Sequence, residues 1–302
     1  MEDARAVVRD DTGAAGYTLV VAVANPENVD QLMRTAVDVA GANDGGIRVV
    51  SVIHKPATSP FLLFAEEEIK REYADGQEAV VDRAVAAAAG SSVPVKRSVV
   101  VGSDVADAIL STVEAVDADA LVIGWQDRPR PADIVLGTTV DPVIRRAPCD
   151  VFVERVGTTA DGIDRVLLPT DGGPHVDLAA DVVDAVATAN DASVSAVSYV
   201  SDDAPETDLR TAWDHVDRAT ERLSVDDVAA SVRETPDPAN AIVSLAAEHD
   251  LIVLGATREG VVRDRVVGSV AETVGGRAAP PIIIAKRDTG RSFVERTLDR
   301  LR

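Results

Sequence analysis

The stretches Leu121-Val-Ile-Gly124 and Ile252-Val-Leu-Gly255 decide the fold, because each is an uncharged apolar run that ends at a glycine. Thirteen residues after each of these glycines comes another, Gly137 or Gly268, and a hydroxyl residue follows it. Short apolar runs of this kind are typical of strands buried on both faces of a parallel sheet. The repeated spacing therefore indicates two copies of one α/β plan within the chain.

Strand and helix patterns alternate on both sides of these glycines. The predicted elements of copy one begin with a strand and alternate strictly with helices: 19–24, 29–42, 47–53, 66–89, 95–101, 105–116, 120–124, 139–146 and 151–154. Copy two repeats the plan from residue 166 to residue 286. Alternation with short connections predicts a doubly wound parallel sheet with helices on both faces, five strands to each copy.

The composition shift between the copies marks the domain boundaries. We predict a loose N-terminal arm at 1–16, a first domain at 17–156, a second at 164–287 and a tail at 288–302. Within the tail, residues 292–302 have the pattern of a short amphipathic helix. Copy one has extra length before its second helix, where Pro60-Phe-Leu-Leu-Phe64 forms an apolar patch. That patch is either a covering loop or an interface.

The charge is strongly acidic. The chain has 51 acidic against 30 basic residues, for a net charge of -21. Such a surface disfavours contact with nucleic acid, because phosphates are repelled. It resembles the proteins of salt-loving archaea, whose self-repulsion is screened when the Debye length falls to about 3 Å near 1 M salt. We therefore expect a halophilic protein whose folding weakens in dilute buffer.

Other residue types exclude several kinds of site. Cys149 is the only cysteine, so no internal disulfide can form, and beside Pro148 it is most simply a small buried residue. The four histidines, His175 near Asp171 included, show no metal-ligand spacing. The sequence shows no apolar run long enough for a membrane span and no signal peptide, which leads us to expect a cytoplasmic protein.

The glycines lie where an open α/β sheet binds ligands. A crevice forms at the carboxyl ends of the strands, at the point where the strand order reverses. A glycine after a central strand lets a ligand approach the backbone, and a Gly-Ser or Gly-Thr pair opening a helix offers unpaired N–H groups to an anion. Trp125, directly after Gly124, lies either over the crevice of copy one or exposed on its loop.

The spacing resembles the signature of the universal stress protein family, Gly-x-x-Gly-x9-Gly-Ser/Thr. Copy two has Gly255-Ala-Thr-Arg258, nine residues, then Gly268-Ser269-Val270; copy one has Gly124-Trp-Gln-Asp127, nine residues, then Gly137-Thr138. Val166-Leu-Leu-Pro-Thr-Asp171-Gly172 is similar to the first strand of the family, and Arg145-Arg-Ala-Pro148 to its closing helix. The resemblance implies two adenine nucleotide alpha hydrolase-like domains in tandem.

The resemblance also implies a nucleotide site in copy two. Its candidate residues follow the strands and open the last helix: Thr170, Asp171, Gly172, Gly255, Arg258, Gly268, Ser269 and Val270. In ATP-binding members the aspartate lies beside the adenine. Arg258 replaces the second glycine of the motif and either clamps phosphate or fills the pocket. ATP or AMP is the implied ligand, with Mg²⁺ as the only metal, accompanying ATP.

Copy one departs further from the motif. It keeps Gly124, Gly137 and Thr138, but Asp127 replaces the second glycine, and Ala24 stands where the strand-one aspartate should be. A carboxylate beside a phosphate repels it unless it is paired, for example by Arg128 or Arg130. We therefore predict that copy one is a degenerate site and that only copy two binds nucleotide.

The resemblance implies a nucleotide-binding module in stress response, and we expect it to be non-catalytic because the sequence names no general base. Ser269 has no adjacent base and no nucleophile elbow around it, and no P-loop is present. The alternatives are a slow ATP hydrolase and a regulatory partner that acts in trans on a membrane transporter. The last strands, 151–153 and 282–285, are expected to pair the two copies within one chain, leaving other surfaces for a homodimer.

Overall fold

The computed structural model describes residues 16–55, 74–126, 136–256 and 268–288. The ten strands of these ranges are β1 (Thr18–Ala22), β2 (Gly46–His54), β3 (Val95–Gly102), β4 (Ala120–Trp125), β5 (Asp150–Arg155), β6 (Arg165–Pro169), β7 (Ser193–Val200), β8 (Val228–Glu234), β9 (Leu251–Gly255) and β10 (Ile282–Lys286). The helices are α1 (Val29–Ala42), α2 (Asp75–Ala87), α3 (Val105–Ala115), α4 (Val140–Arg146), α5 (Val176–Asn190), α6 (Glu206–Thr220), α7 (Pro238–Ala246) and α8 (Ser269–Arg277).

The strands form one ten-stranded sheet in the order β3-β2-β1-β4-β5-β10-β9-β6-β7-β8. Every neighbouring pair is parallel except β5 and β10, where Val153 lies opposite Ile284. Each half is therefore a doubly wound parallel sheet of the adenine nucleotide alpha hydrolase-like type, as predicted. The pairing of the copies through their last strands is confirmed as well.

Helices cover both faces of the sheet and bury two cores. One core collects α1, α2 and α5 around residues such as Met33 and Phe152. The other collects α3, α4, α7 and α8 around residues such as Val143 and Ile282. Both cores run through the two copies, and nearly all their side chains are small or β-branched, as strands covered on both faces require.

Local signals set the ends of the elements close to the predicted positions. The first strand ends at Ala22, two residues earlier than predicted, because the side chain of Asn25 accepts a hydrogen bond from the Glu27 N–H at 3.0 Å and Pro26 opens a short 3-10 turn. Asp104 and Asp237 cap α3 and α7 in the same way. The predicted arm, the Pro60–Phe64 patch and the predicted tail helix lie outside the described residues.

Two charged residues are buried where the copies meet. Glu154 is 3% exposed, and Oε2 accepts a hydrogen bond from the Thr35 hydroxyl at 2.8 Å. The next residue, Arg155, is 7% exposed and donates to the carbonyls of Gly275 and Pro280 in copy two, at 2.7 and 2.5 Å. The seam between the copies, where β5 pairs with β10, therefore has a carboxyl group on one face of the sheet and a guanidinium on the other.

Candidate functional site

A cavity of about 550 Å³ opens in copy one at the carboxyl ends of its strands. In this half of the sheet β2 lies on one side of β1 and β4 on the other, so the strand order reverses at β1. The cavity lies at this switch point. Gly124, Gly137 and Thr138, three of the residues of the predicted degenerate site, line the cavity together. The fourth, Asp127, lies outside the described residues.

The walls of the cavity are apolar and its polar groups are uncharged. Side chains of Leu32, Val50, Val52 and Ile109 form much of the wall. The amides and hydroxyls among the lining residues belong to Asn25, Asn28, Gln126, Thr138 and Thr139. None of the described residues that line the cavity has a charged side chain or an imidazole. Such a surface suits a flat, mostly apolar ring with a few hydrogen-bonding groups on its edge.

Two glycines shape the cavity. Gly137 has φ 138°, a left-handed conformation that a side chain rarely adopts, and its carbonyl accepts the Asp141 N–H at 3.0 Å as α4 begins. A Cβ atom on Gly124 would lie 3.0 Å from Val156 and 3.4 Å from Leu32, both of which are cavity walls. A side chain at Gly124 would therefore displace the wall.

The loop that follows β6 in copy two, residues 170–173, contains two hydrogen bonds between its own residues. Thr170 is buried, and its hydroxyl accepts the Gly172 N–H at 3.3 Å. Asp171 is exposed, and its carboxylate accepts the Gly173 N–H at 3.0 Å. Gly172 has φ 71°, so glycine is favoured there by the backbone alone.

Two histidines lie against the glycines of copy two. The ring of His215 lies directly on Gly172, since a Cβ atom there would be 2.0 Å from its Cδ2. His175 directly precedes α5, and its backbone and Cβ lie 3.3 Å from where a Cβ of Gly255 would be. Burial lowers the pKa of His175, and nearby Lys286 and Arg287 lower it further. Its Nδ1 accepts the Arg287 N–H at 3.1 Å.

The last helix of copy two starts as the sequence predicts. Gly268 is its extended N-terminal cap, and α8 begins at Ser269, which is exposed, while Val270 is half-buried. The first N–H groups of a helix have no partner within it, so this end can meet an anion. In copy one the corresponding helix begins only at Val140, two residues later in the repeat. Arg258 lies outside the described residues.

Sequence reasoning missed several of the residues that shape these sites. The prediction that Trp125 lies over the pocket or on an exposed loop is wrong, because its side chain is 4% exposed and packs in the core against α8. The motif also gave no sign of Asn28, Val52 or the two histidines, which come from other elements. Cys149 is fully buried, as expected.

Two features are absent from the described residues. None of the described helices combines the length and the apolar character needed to cross a bilayer. Within the same ranges, no three His, Cys, Asp or Glu side chains come together as metal ligands would.

Known proteins share this architecture over the whole of their chains. A universal stress protein from Archaeoglobus fulgidus DSM 4304 is 19% identical, with a TM-score of 0.64, and the match covers 91% of this chain and all 100% of that one. A protein of unknown function from Pseudomonas aeruginosa PAO1 matches at 17% identity and a TM-score of 0.53, over 91% and 94% of the two chains. The cytoplasmic domain of a prokaryotic cation chloride cotransporter matches at 11% identity and a TM-score of 0.55, over 94% and 99%. At these identities the likeness concerns the fold alone.

Sequence comparison adds the family. No curated protein matches the chain. The profile of the Universal stress protein family matches it twice, at residues 17–155 and 162–286. Each match contains one of the two glycine loops with which the repeat was found. With the doubly wound halves joined by their last strands, these two matches show that the chain belongs to the universal stress protein family, in its tandem form.

Proposed function

We propose that this protein is a non-catalytic module that binds an adenine nucleotide and reports it in a stress response through conformation or association. The observation that supports this most is the cavity beside Gly124 and Gly137. Its volume of about 550 Å³ falls within the range of roughly 300–1,000 Å³ that is usual for small-ligand sites. Its position at a switch point of the sheet is the usual one for ligands of such folds.

The chemistry of the cavity supports a purine base as the buried part of the ligand. Val50, Val52 and Ile109 offer apolar surface to the faces of a ring, and the amides of Asn28 and Gln126 can pair with ring nitrogens and an amino group. Thr138 and Thr139, directly before α4, add hydroxyl groups to the cavity wall that can pair with a ribose.

A binding role fits the cavity better than hydrolysis does. The described lining residues include no carboxylate, imidazole or cation. Hydrolysis of ATP needs a group that positions or activates a water molecule, and charge to stabilise the transferred phosphoryl group. The described lining residues carry no charge for the second of these tasks, and we propose binding rather than hydrolysis as the role of the cavity.

Each copy has a crevice that is a candidate nucleotide site. The volume of the cavity in copy one favours that copy. The candidate residues of copy two favour its own crevice, because they keep the hydrogen-bond acceptor that copy one lacks and a helix that begins directly after the glycine. They are Thr170, Asp171, Gly172, Gly255, Gly268, Ser269 and Val270. We rank the cavity of copy one first, since in copy two His215 and His175 already lie against the glycines.

Matched substitutions separate the two crevices. Ala24 and Asp171 are each the second residue after the first strand of their copy, and both are exposed. Ala24 lines the cavity, so Ala24→Trp should fill its mouth and weaken AMP binding at least tenfold, whereas Asp171→Ala should leave it unchanged. Calorimetry with AMP and with ATP, with and without Mg²⁺, measures this.

The reverse pattern would place the nucleotide in copy two. Two equal sites per chain would contradict the expected asymmetry of the copies. An unmodified chain that binds neither AMP nor ATP would contradict the proposed function.

A further inference from the structure

Trp125 and Arg155 belong to the framework of the cavity in copy one. Trp125 ends β4, and the residues on either side of it, Gly124 and Gln126, both line the cavity. Arg155 lies opposite Trp125 in the register of β4 and β5, and Val156 after it is another cavity wall. Paired residues of parallel strands point to the same face of a sheet, so the side chains of Trp125 and Arg155 lie on one face of the sheet.

Both side chains reach helix α8 of copy two. A Cβ atom on Gly275 would lie only 2.7 Å from Cη2 of Trp125, so the helix accepts the indole ring because it has a glycine at that position. A glycine in a helix interior costs stability relative to alanine. The tight fit to Trp125 gives a physical reason for that cost.

The guanidinium of Arg155 binds backbone carbonyls at the same end of the helix. Nη1 donates to the Gly275 carbonyl at 2.7 Å, and Nη2 donates to the carbonyls of Ala279 and Pro280 at 3.1 and 2.5 Å. Charge-assisted hydrogen bonds inside a protein are stronger than neutral ones. Arg155 therefore ties the end of α8 to β5.

The other end of α8 forms the glycine loop of copy two. The helix starts at Ser269, directly after Gly268, and its nine residues span about 13 Å. One helix thus contacts residues that flank the cavity of copy one at its C-terminal end and forms part of the crevice of copy two at its start.

Trp125 leaves one polar group unsatisfied in the core. Its indole N–H is buried and has no hydrogen-bond acceptor among the described residues. The position of the indole ring is therefore set by packing, against Gly275 among others, and not by a hydrogen bond.

We infer that Trp125 and Arg155 couple the two crevices through helix α8, so that a nucleotide in one of them changes the conformation and affinity of the other. The inference rests on the proposed function, because it needs a nucleotide in at least one crevice. Coupling of this kind is reciprocal and typically amounts to about 5- to 150-fold in affinity.

The first test uses Trp125 as its own reporter. The chain has two tryptophans, and Trp213 is 43% exposed, so Trp213→Phe leaves Trp125 as the only indole fluorophore. Titration of this variant with AMP should change the emission of Trp125 in step with the calorimetric binding curve. Binding heat with unchanged emission would overturn the coupling and leave the proposed function intact, whereas no heat at all would overturn the proposed function.

The second test moves the contact from the side of copy two. Gly275→Ala should push the indole ring and change the affinity for AMP at least about fivefold. Gly76→Ala is the matched control, since a Cβ atom on this helical glycine of α2 would meet no heavy atom within 4 Å. If Gly275→Ala does not fold, Trp125→Phe loosens the same contact. Unchanged affinity in the variant that folds would overturn the inference.

Discussion

The two copies have the same strand order but fill equivalent positions with different side chains. Asn28 directly precedes α1 and lines the cavity, whereas the residue that directly precedes α5 is His175, which lies against Gly255. Near the end of β2, Val52 lines the cavity, and the equivalent residue of β7 is Tyr199. Copy one has smaller side chains at both positions.

The copies also differ beside the seam where β5 pairs with β10, and here copy one has the more polar residues. Glu154 contacts Thr35, the seventh residue of α1, and the seventh residue of α5 is the fully buried Val182. Ala285 takes the place of Glu154 in β10, since each precedes the basic residue that ends its strand. Copy one has a polar group under its seam where copy two has apolar packing.

These differences show that a duplicated fold can be conserved while its sites diverge. The alternation of apolar residues fixes strands and cores in both copies. The size and polarity of single residues at the strand ends then decide what lines the crevice of each copy. The two copies therefore differ in the sites at their strand ends while sharing one sheet and two continuous cores.

The largest expected effect concerns Trp125 and its counterpart. Trp125→Ala should lower the free energy of unfolding by about 3–5 kcal/mol, because it empties the space between β4 and Gly275. The next residue after β9, Ala256, is buried at the equivalent place, and Ala256→Gly should cost only about 1 kcal/mol. Urea unfolding at molar salt measures both. Equal costs would show that the copies do not differ in packing here.

The next effect is the pH dependence that Glu154 confers. Desolvation raises the pKa of Glu154 from 4.5 to about 7, while hydrogen bonds from Thr35 and Gln31 and the charge of Arg34 lower it, and Asp38 raises it. Burial likewise raises the pKa of Asp38 to about 6. The folded chain therefore holds protons that the unfolded chain releases. Stability from protonated Glu154 is complete below pH 4.5 and is lost as the pH rises through about 7.

Glu154→Gln isolates this contribution, because glutamine stays neutral. Near pH 4.5 the variant should match the unmodified chain, and above pH 7 it should be more stable by about 3 kcal/mol. Glu27→Gln, at an exposed position of the same copy, is the control and should show no such divergence. Parallel stability curves for Glu154→Gln and the unmodified chain would contradict a buried carboxyl group at the seam.

The sequence was sufficient for the architecture for a physical reason. Runs such as Leu121–Gly124 and Ile252–Gly255 are apolar on both faces, which is typical of a parallel strand covered on both sides. Their repetition, with the apolar last strands, then led to two halves joined edge to edge. These features depend on local pattern, and local pattern can be read without knowing which residues touch.

The sites could not be predicted in the same way, because they depend on contacts between distant residues. The burial of Trp125 requires the glycine at position 275, in the other copy. The cavity requires Asn28 and Val52 to be small at once, although they belong to different elements. The family motif consists of the glycine loops alone and gives no information on the residues that face these loops.

The smallest expected effect compares one ion pair in each copy. Asp30 and Asp177 are each the second residue of the first long helix of their copy, and they pair with Arg83 and Arg218. Hydrogen bonds from these arginines lower the pKa of both carboxyl groups, so the stability they confer is present at neutral pH and is lost as the pH falls toward the lowered pKa values.

The exposure of the two carboxylates decides which pair contributes more. The side chain of Asp177 is 17% exposed and that of Asp30 57%, so solvent screens the pair of copy one more strongly. Arg218→Met should therefore lower the free energy of unfolding by about 0.5–1 kcal/mol at low salt, and Arg83→Met should give no measurable change. The cost of Arg218→Met should shrink in 1 M salt, where the Debye length is about 3 Å. Equal costs for the two variants, or a cost that grows with salt, would mean that burial does not set the strength of these pairs.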